Sequence, residues 1–338
     1  DLEGSSLVSD PDSPEAVNVR EIRRGYARAT RLPRDLVEEM ARTTSMAQQE
    51  WVAARAAADF ARFRPWLEKI VGLKRREAEC VGYEGNPYDA LLDEYEPGAK
   101  SREITVLFES LRRELVPLVS AIANATRRPD LAILRRDYPI DRQRVFGEAV
   151  AAALGFDFQR GRLDTTAHPF CSGIGPGDCR ITTRFRQNNV GDALFGIMHE
   201  VGHGLYEQGL AVEHYGTPMG ESVSLGVHES QSRLWENAVG RSRPFWEHFF
   251  PLARRVFHEA LHETALDDFL FAVNHVEPST IRVEADEVTY NLHILIRFEL
   301  EQALISGELP PADVPAAWDE KYRQYLGVTP RDEADGCL

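Results

Sequence analysis

Apolar residues recur at three- and four-residue spacing over most of the chain, which predicts helices. Ser13-Pro14-Glu15 opens the first, with Pro14 suited to the first helical position. Residues 31–63 form a second helical stretch with apolar positions at Leu36, Val37, Met40, Met46, Trp51 and Val52, and 64–81 a third. Residues 86–101 read as a short helix and a Pro-Gly turn. In 102–125, Leu107, Leu111, Leu115, Leu118 and Ile122 fall on one face, and a helix over 140–154 ends at Gly155. The texture then changes. Residues 156–189 are rich in Thr and Gly, and Asp178, Arg180, Thr182 and Arg184 alternate with Cys179, Ile181, Thr183 and Phe185. That period of two predicts a half-buried strand. Helical patterning returns from 190. The pattern therefore predicts a mainly α protein with a small β element near 156–186. It reads as one domain over 1–338: a helical part (1–155), a β/loop segment (156–189) and further helices (190–338).

One predicted helix carries chemistry. FGIMHEVGHGLYEQG (195–209) holds His199 and His203 four residues apart, on one helical face. Each can aim an imidazole nitrogen at one point, and imidazole nitrogen suits zinc. Glu200 sits one residue round from His199, so it can reach a metal-activated water without binding the metal, as a hydrolase's general base does. Asn188, Asn189 and Asp192 are N-cap candidates, and Gly209 stops the helix. Leu194, Ile197, Met198, Val201 and Leu205 make it a buried element. The plain alternative is a pair of hydrogen-bonded structural histidines; the adjacent Glu and the buried helix weigh against it. Gly202 costs up to about 1 kcal/mol of helix propensity, which makes sense if another segment or a substrate approaches there.

A catalytic zinc site normally has three protein ligands and an open position. Positions 206 and 209 are Tyr206 and Gly209, so this helix offers no third histidine. Residues 221–240 read as a separate helix whose donors are Glu221, His228, Glu229 and Glu236. His228 and Glu229 are close rivals, and Glu229 is favoured because two histidines with a glutamate form an established hydrolase set. A second His-Glu-x-x-His run, His258 to His262, has an acidic, polar flank and no matching carboxylate helix, and is read as a solvated face. His214, His248 and His275 are given no catalytic role.

The net charge of −15 argues against nucleic acid or an anionic membrane surface as the main partner. No stretch approaches the apolar length of a membrane span. The first residues lack the basic and apolar regions of a signal peptide and begin without methionine, which suggests a fragment or processed product. Four cysteines occur without a Cys-x-x-Cys pair. They read as thiols of a reducing compartment, hence a cytoplasmic protein, although Cys171 and Cys179 could close a loop.

HPF (168–170), DCRIT (178–182), HEVGH (199–203), HESQ (228–231) and IRVEADEVTY (281–290) occur in the order of the motifs of the M32 metallocarboxypeptidases, the carboxypeptidase Taq type. The chain resembles this family along essentially its whole length, including LGVHESQSRLWEN (225–237) and WDEKYRQYLGVTP (318–330). The resemblance implies a neurolysin-like gluzincin helical fold with a cleft. It implies a divalent metal, zinc or cobalt, held by His199, His203 and Glu229, with Glu200 as general base. It further implies peptide substrates shortened from the C-terminus, and commonly a homodimer. Arg282 is the residue it points to for the substrate carboxylate, which a guanidinium can bind with two parallel hydrogen bonds. The alternative is a surface pair with Glu284 or Asp286. Arg180 and Asp178 share a strand face, where they line the cleft or simply pair. His168 either bonds substrate or is structural, and packing is the default for Tyr290.

Family members extend further at both ends, and their C-terminal continuation carries histidine and tyrosine motifs expected to stabilise the oxyanion. Loss of one oxyanion donor costs about 10²–10³ in rate. The expectations are therefore an active carboxypeptidase, an impaired metal-binding remnant or split-enzyme part lacking the C-terminal cleft wall, and a purely structural helical scaffold.

Overall fold

The computed structural model describes residues 4–338. Five helices lead: α1 (Pro14–Arg31), α2 (Arg34–Ala57), α3 (Phe60–Val81), α4 (Pro87–Leu92) and α5 (Ser101–Ala123). After α6 (Ile140–Leu154) come the strands β1 (Gly161–Thr165), β2 (Cys171–Gly175) and β3 (Asp178–Thr183). Helices α7 (Val190–Gly209), α8 (Leu225–Arg233), α9 (Arg243–Val256), α10 (His258–Leu261), α11 (Leu266–Val273), α12 (Thr289–Ser306) and α13 (Val314–Leu326) complete the chain. The protein is mainly helical, as its periodicity predicts, with a small sheet where the alternation lies. Among the described residues, no helix is long and apolar enough to cross a membrane.

The chain packs as two compact units. One comprises the chain up to Ile22 with Arg127–His275; the other comprises Arg23–Thr126 with Val276–Leu338.

In the second unit the break between the predicted helices comes earlier than the sequence pattern indicates. Ala58 ends α2 in the left-handed region, at φ 49°, and the Asp59 side chain caps α3 by accepting from Arg62 N at 3.1 Å. A capping aspartate ahead of Phe60 starts the new helix there, and Pro65 then falls inside it. The face of α5 also differs. Leu107 and Leu118 are 64% and 45% exposed. Phe108, Leu111, Leu115 and Val119 instead pack with Leu292, Leu295 and Ile296 of α12. A stripe shifted in this way suits α12, of which only Glu301 and Ser306 are exposed and whose Leu292, Leu295, Ile296 and Leu300 belong to the core of this unit.

The first unit holds the helix with His199, Glu200 and His203 and the helix with Glu229. Its aromatic core joins Tyr138, Phe146, Phe249 and Phe257 edge to face, with Trp246 against Phe269. Met198 and Leu194 of α7 belong to this core, while Ile197 and Val201 face a second cluster with Ile181 and Cys179 of β3. Helix α7 is thus buried on two sides, which fixes its rotation. The sheet order is β1-β3-β2, with β1 parallel and β2 antiparallel to β3. Cys179, Ile181 and Thr183 are buried, as the alternation predicts. Thr182 is buried too, and its hydroxyl is satisfied there by accepting from Phe170 N at 2.8 Å.

Candidate metal centre

Asn189 caps α7, accepting from Asp192 N at 3.2 Å, and the helix runs to Gly209. Ser224 caps α8, accepting from Val227 N at 3.1 Å. Helix α8 continues into a π-helical segment, Leu234–Val239, a form frequent at functional sites. The two helices meet at Gly202. A Cβ there would stand 2.5 Å from Gln231 O and 2.6 Å from Ser232 Cα. Only glycine lets the α8 backbone come this close, and Glu229 lies on the turn preceding that contact.

His199, His203 and Glu229 come together. Glu229 Oε2 lies 3.2 Å from His203 Nε2 and 3.8 Å from His199 Nε2. One ligand atom from each residue lies within 4.8 Å of the others, the one such group of at least three His, Cys, Asp or Glu among the described residues. Tetrahedral ligands about 2.0–2.1 Å from a zinc ion sit about 3.3 Å apart. The far sides of the rings explain why the Nε2 atoms are the available donors. His199 Nδ1 lies 2.8 Å from Glu236 Oε2, so its Nδ1–H donates and its Nε2 keeps a lone pair. His203 Nδ1 lies 2.6 Å from Nδ1 of His228, whose Nε2 is 2.8 Å from Glu207 Oε1. Glu207 accepts from His228 Nε2–H. With its Nε2–H engaged by Glu207, His228 offers Nδ1 as the acceptor for His203 Nδ1–H, which leaves His203 Nε2 as a lone pair. Outer hydrogen bonds of this kind set the tautomer and orientation of metal-binding imidazoles.

The four donors offered by 221–240 now separate. His228 serves His203 from behind, Glu236 serves His199, and Glu221 is exposed. Glu229 alone faces both Nε2 atoms. Arg233 joins the carboxylates, donating to Glu229 Oε1 and Glu236 Oε2 at 3.0 Å each. Burial raises the Glu229 carboxyl, but His203, His199 and Arg233 outweigh it and hold its pKa at about 2. Burial also opposes a charged His199. The bond to Glu236 and the carboxylates of Glu236, Glu229 and Glu200 overcome it and raise His199 above the ordinary histidine value. The cluster therefore favours positive charge at its centre, as a proton on His199 or as a cation among the three side chains. This donor set fits a divalent cation.

Glu200 is 5% exposed. Burial raises its pKa to about 7, aided by Glu229 and Glu236 and opposed by His199 and His228. A carboxyl poised there can take a proton near neutrality and release it again.

The remaining candidates are arranged differently. Arg180 on β3 makes a two-point pair with Asp178, Nε to Oδ1 at 2.7 Å and a terminal nitrogen to Oδ2 at 2.8 Å. His168 is exposed, in a turn where its N–H donates to Thr166 Oγ1 and its carbonyl accepts from the same hydroxyl. Arg282, in the other unit, donates to Tyr290 Oη at 3.0 Å. Asp286 spends its carboxylate capping α12, accepting from Val288 N, Thr289 N and the Thr289 hydroxyl. In the second His-Glu-x-x-His run, Glu259 pairs with Arg142, and the His262 ring bonds the His258 carbonyl. Glu207 and Arg233 escape the sequence reading. Their signals are present in the spacing, since Glu207 follows His203 by four residues and Arg233 lies four after Glu229 and three before Glu236.

Comparison with known proteins identifies the family. The family described as carboxypeptidase Taq (M32) metallopeptidase matches residues 2–338. Thermostable carboxypeptidase 1 of Thermus thermophilus is 54% identical over 346 residues, covering 100% of this chain and 68% of that protein. Thermostable carboxypeptidase 1 of Pyrococcus furiosus is 39% identical, covering 95% of this chain and 66% of that one. The crystal structure of an M32 carboxypeptidase from Deinococcus radiodurans superposes with a TM-score of 0.94 at 42% identity, covering 97% of this chain and 66% of that one. The chain spans about two thirds of the length of these relatives. Sequence and structure agree that the chain belongs to the carboxypeptidase Taq (M32) metallopeptidase family.

Proposed function

We propose that this protein is a metal-dependent carboxypeptidase, releasing C-terminal residues from peptides. His199, His203 and Glu229 would hold the cation, which supplies Lewis acidity to carbonyl and water at neutral pH. Glu200 acts as general base. One carboxylate oxygen takes a proton from the attacking water and later delivers it to the leaving amine nitrogen. Its burial keeps that proton between the two events. His228 and Glu207 behind His203, and Glu236 behind His199, keep the Nδ1 protons in place so that both Nε2 lone pairs point the same way. Arg282 as carboxylate receptor, and Arg180 and His168 as substrate contacts, are proposed from the family motifs. So are zinc or cobalt as the cation and a homodimer; a cytoplasmic location is proposed from the free thiols.

The observation that carries this reading is the convergence of the His199 and His203 imidazoles and the Glu229 carboxylate on one point, beside the buried Glu200. Metal analysis paired with an assay on an N-blocked peptide tests it. Release of the C-terminal amino acid should stop on chelation and return with zinc or cobalt. Glu200→Gln should keep one metal per chain and lose about 10²–10⁴ in rate. Bound metal without turnover would identify an impaired remnant. Absence of stoichiometric metal would leave only a helical scaffold.

A further inference from the structure

Two cysteines stand together outside the proposed chemistry. Sγ of Cys171 on β2 lies 3.3 Å from Sγ of Cys179 on β3. Both are free thiols. They sit diagonally across the antiparallel pair, with Cys171 opposite Ile181 and Gly173 opposite Cys179. We propose that Cys171 and Cys179 form an oxidative modification site, a dithiol that a small disulfide or a hydroperoxide converts into an intrachain disulfide. This goes beyond the peptidase reading and does not depend on it.

The two thiols differ in access. Cys179 is 1% exposed and packs among Ile181, Ile197 and Val201, whereas Cys171 is half-buried. Its neighbours Ser172 and Gly173 are exposed on β2, one of the two edge strands of the sheet. Cys171 is therefore the thiol an oxidant meets first, and Cys179 is placed to resolve the adduct. With a small disulfide, the Cys171 sulfur attacks one sulfur and releases one thiol. The Cys179 sulfur then attacks Cys171 and releases the second. Two thiols of the protein lose two electrons and two protons, and the reagent becomes two thiols. With a hydroperoxide, the Cys171 sulfur takes the distal oxygen as a sulfenic acid, releasing an alcohol or water. Attack by Cys179 then expels a water.

Bond formation requires the sulfurs to close from 3.3 Å to about 2.0 Å. Strand β2 can yield that much. Its ladder with β3 is irregular between Gly173 and Gly175, and Gly177 follows in the connection. The bond shared with Cys179, burial, and the carboxylates of Glu200 and Glu207 hold the Cys171 thiol well above the ordinary range. The pair therefore rests as two thiols and reacts slowly, because the thiolate is the attacking form.

The test uses the whole chain, reduced and then incubated for hours with oxidised glutathione or, separately, hydrogen peroxide. Remaining thiols are alkylated and the peptides mapped by mass spectrometry. The expected result is a fall from four free thiols to two, a cross-link between the peptides of Cys171 and Cys179, and alkylated Cys80 and Cys337. In Cys179→Ala, glutathione should remain on Cys171. The proposal is overturned if the folded wild-type chain keeps four thiols, if glutathione stays on Cys171 there, or if the cross-link joins another pair. The wild-type map decides the matter even should the variant not fold.

Discussion

Nδ1 of His203 sits 2.6 Å from Nδ1 of His228. Two nitrogens that close form a hydrogen bond only if one donates and the other accepts, and Glu207 decides which. Its carboxylate can only accept from His228, so the direction of every bond in the row follows from a residue two hydrogen bonds away from His203.

Glu207 is therefore a positioning residue. Glu207→Leu removes the acceptor, frees both rings to change tautomer, and should weaken metal binding by about 10–100-fold. Glu207→Gln retains an acceptor oxygen and should keep most of the affinity. Competition titration with a chromophoric chelator distinguishes this pattern from a general loss of stability, which would weaken both variants alike.

At Gly202 two effects oppose each other. Alanine gains about 1 kcal/mol of helix propensity. The added Cβ, however, would press on Gln231 O and Ser232 Cα, backbone atoms that cannot rotate away. Overpacking of this kind costs about 1–3 kcal/mol. Gly202→Ala should lower the urea midpoint and weaken metal binding together, since Glu229 rides on the displaced helix.

Removal of the cation should be visible in stability without any assay of turnover. A ligand at about a thousand times its dissociation constant stabilises the folded chain by about 4 kcal/mol. Chelation should lower the melting temperature, and zinc or cobalt should restore it in proportion to free metal. In Glu229→Ala the melting curve should respond little to either treatment.

His293 gives the second unit a dependence on acid. The ring is fully buried, with Nδ1 2.9 Å from the Tyr322 hydroxyl. Burial, together with the charges of Arg297 and Arg282, lowers its pKa from 6.5 to about 4, against an opposing Asp286. The unfolded chain binds this proton more readily than the folded one. The stabilisation is complete above pH 6.5 and is lost as pH falls towards 4, by about 3 kcal/mol in all. Urea unfolding of wild type and His293→Gln across that window should show a slope that the variant lacks.

The sequence made the centre legible in part, for physical reasons that differ by residue. His199, Glu200 and His203 stand out because a buried helix has no ordinary use for three polar groups on consecutive turns. Glu229 and His228 cannot be separated by spacing, since adjacent residues differ by only about a quarter-turn. Their separation depends on the rotation of α8, which Gly202 and the Gln231 backbone set through space. Glu207 reads as one more solvated charge until His228 is seen beside it. Likewise the inward stripe of α5 is chosen by the shape of α12, so Leu107 and Leu118 point outward despite helical spacing. The break at Ala58 rests on one aspartate cap within an otherwise continuous helical texture.

Arg233, which reaches both Glu229 and Glu236, has a consequence for anyone wishing to transplant this centre. The portable object is a pair of crossed rods rather than three side chains. Residues 199, 203 and 207 ride on one, residues 228, 229, 233 and 236 on the other, and the crossing point admits no β-carbon. A design that copies only the three inner donors would inherit rings free to turn and a carboxylate free to swing.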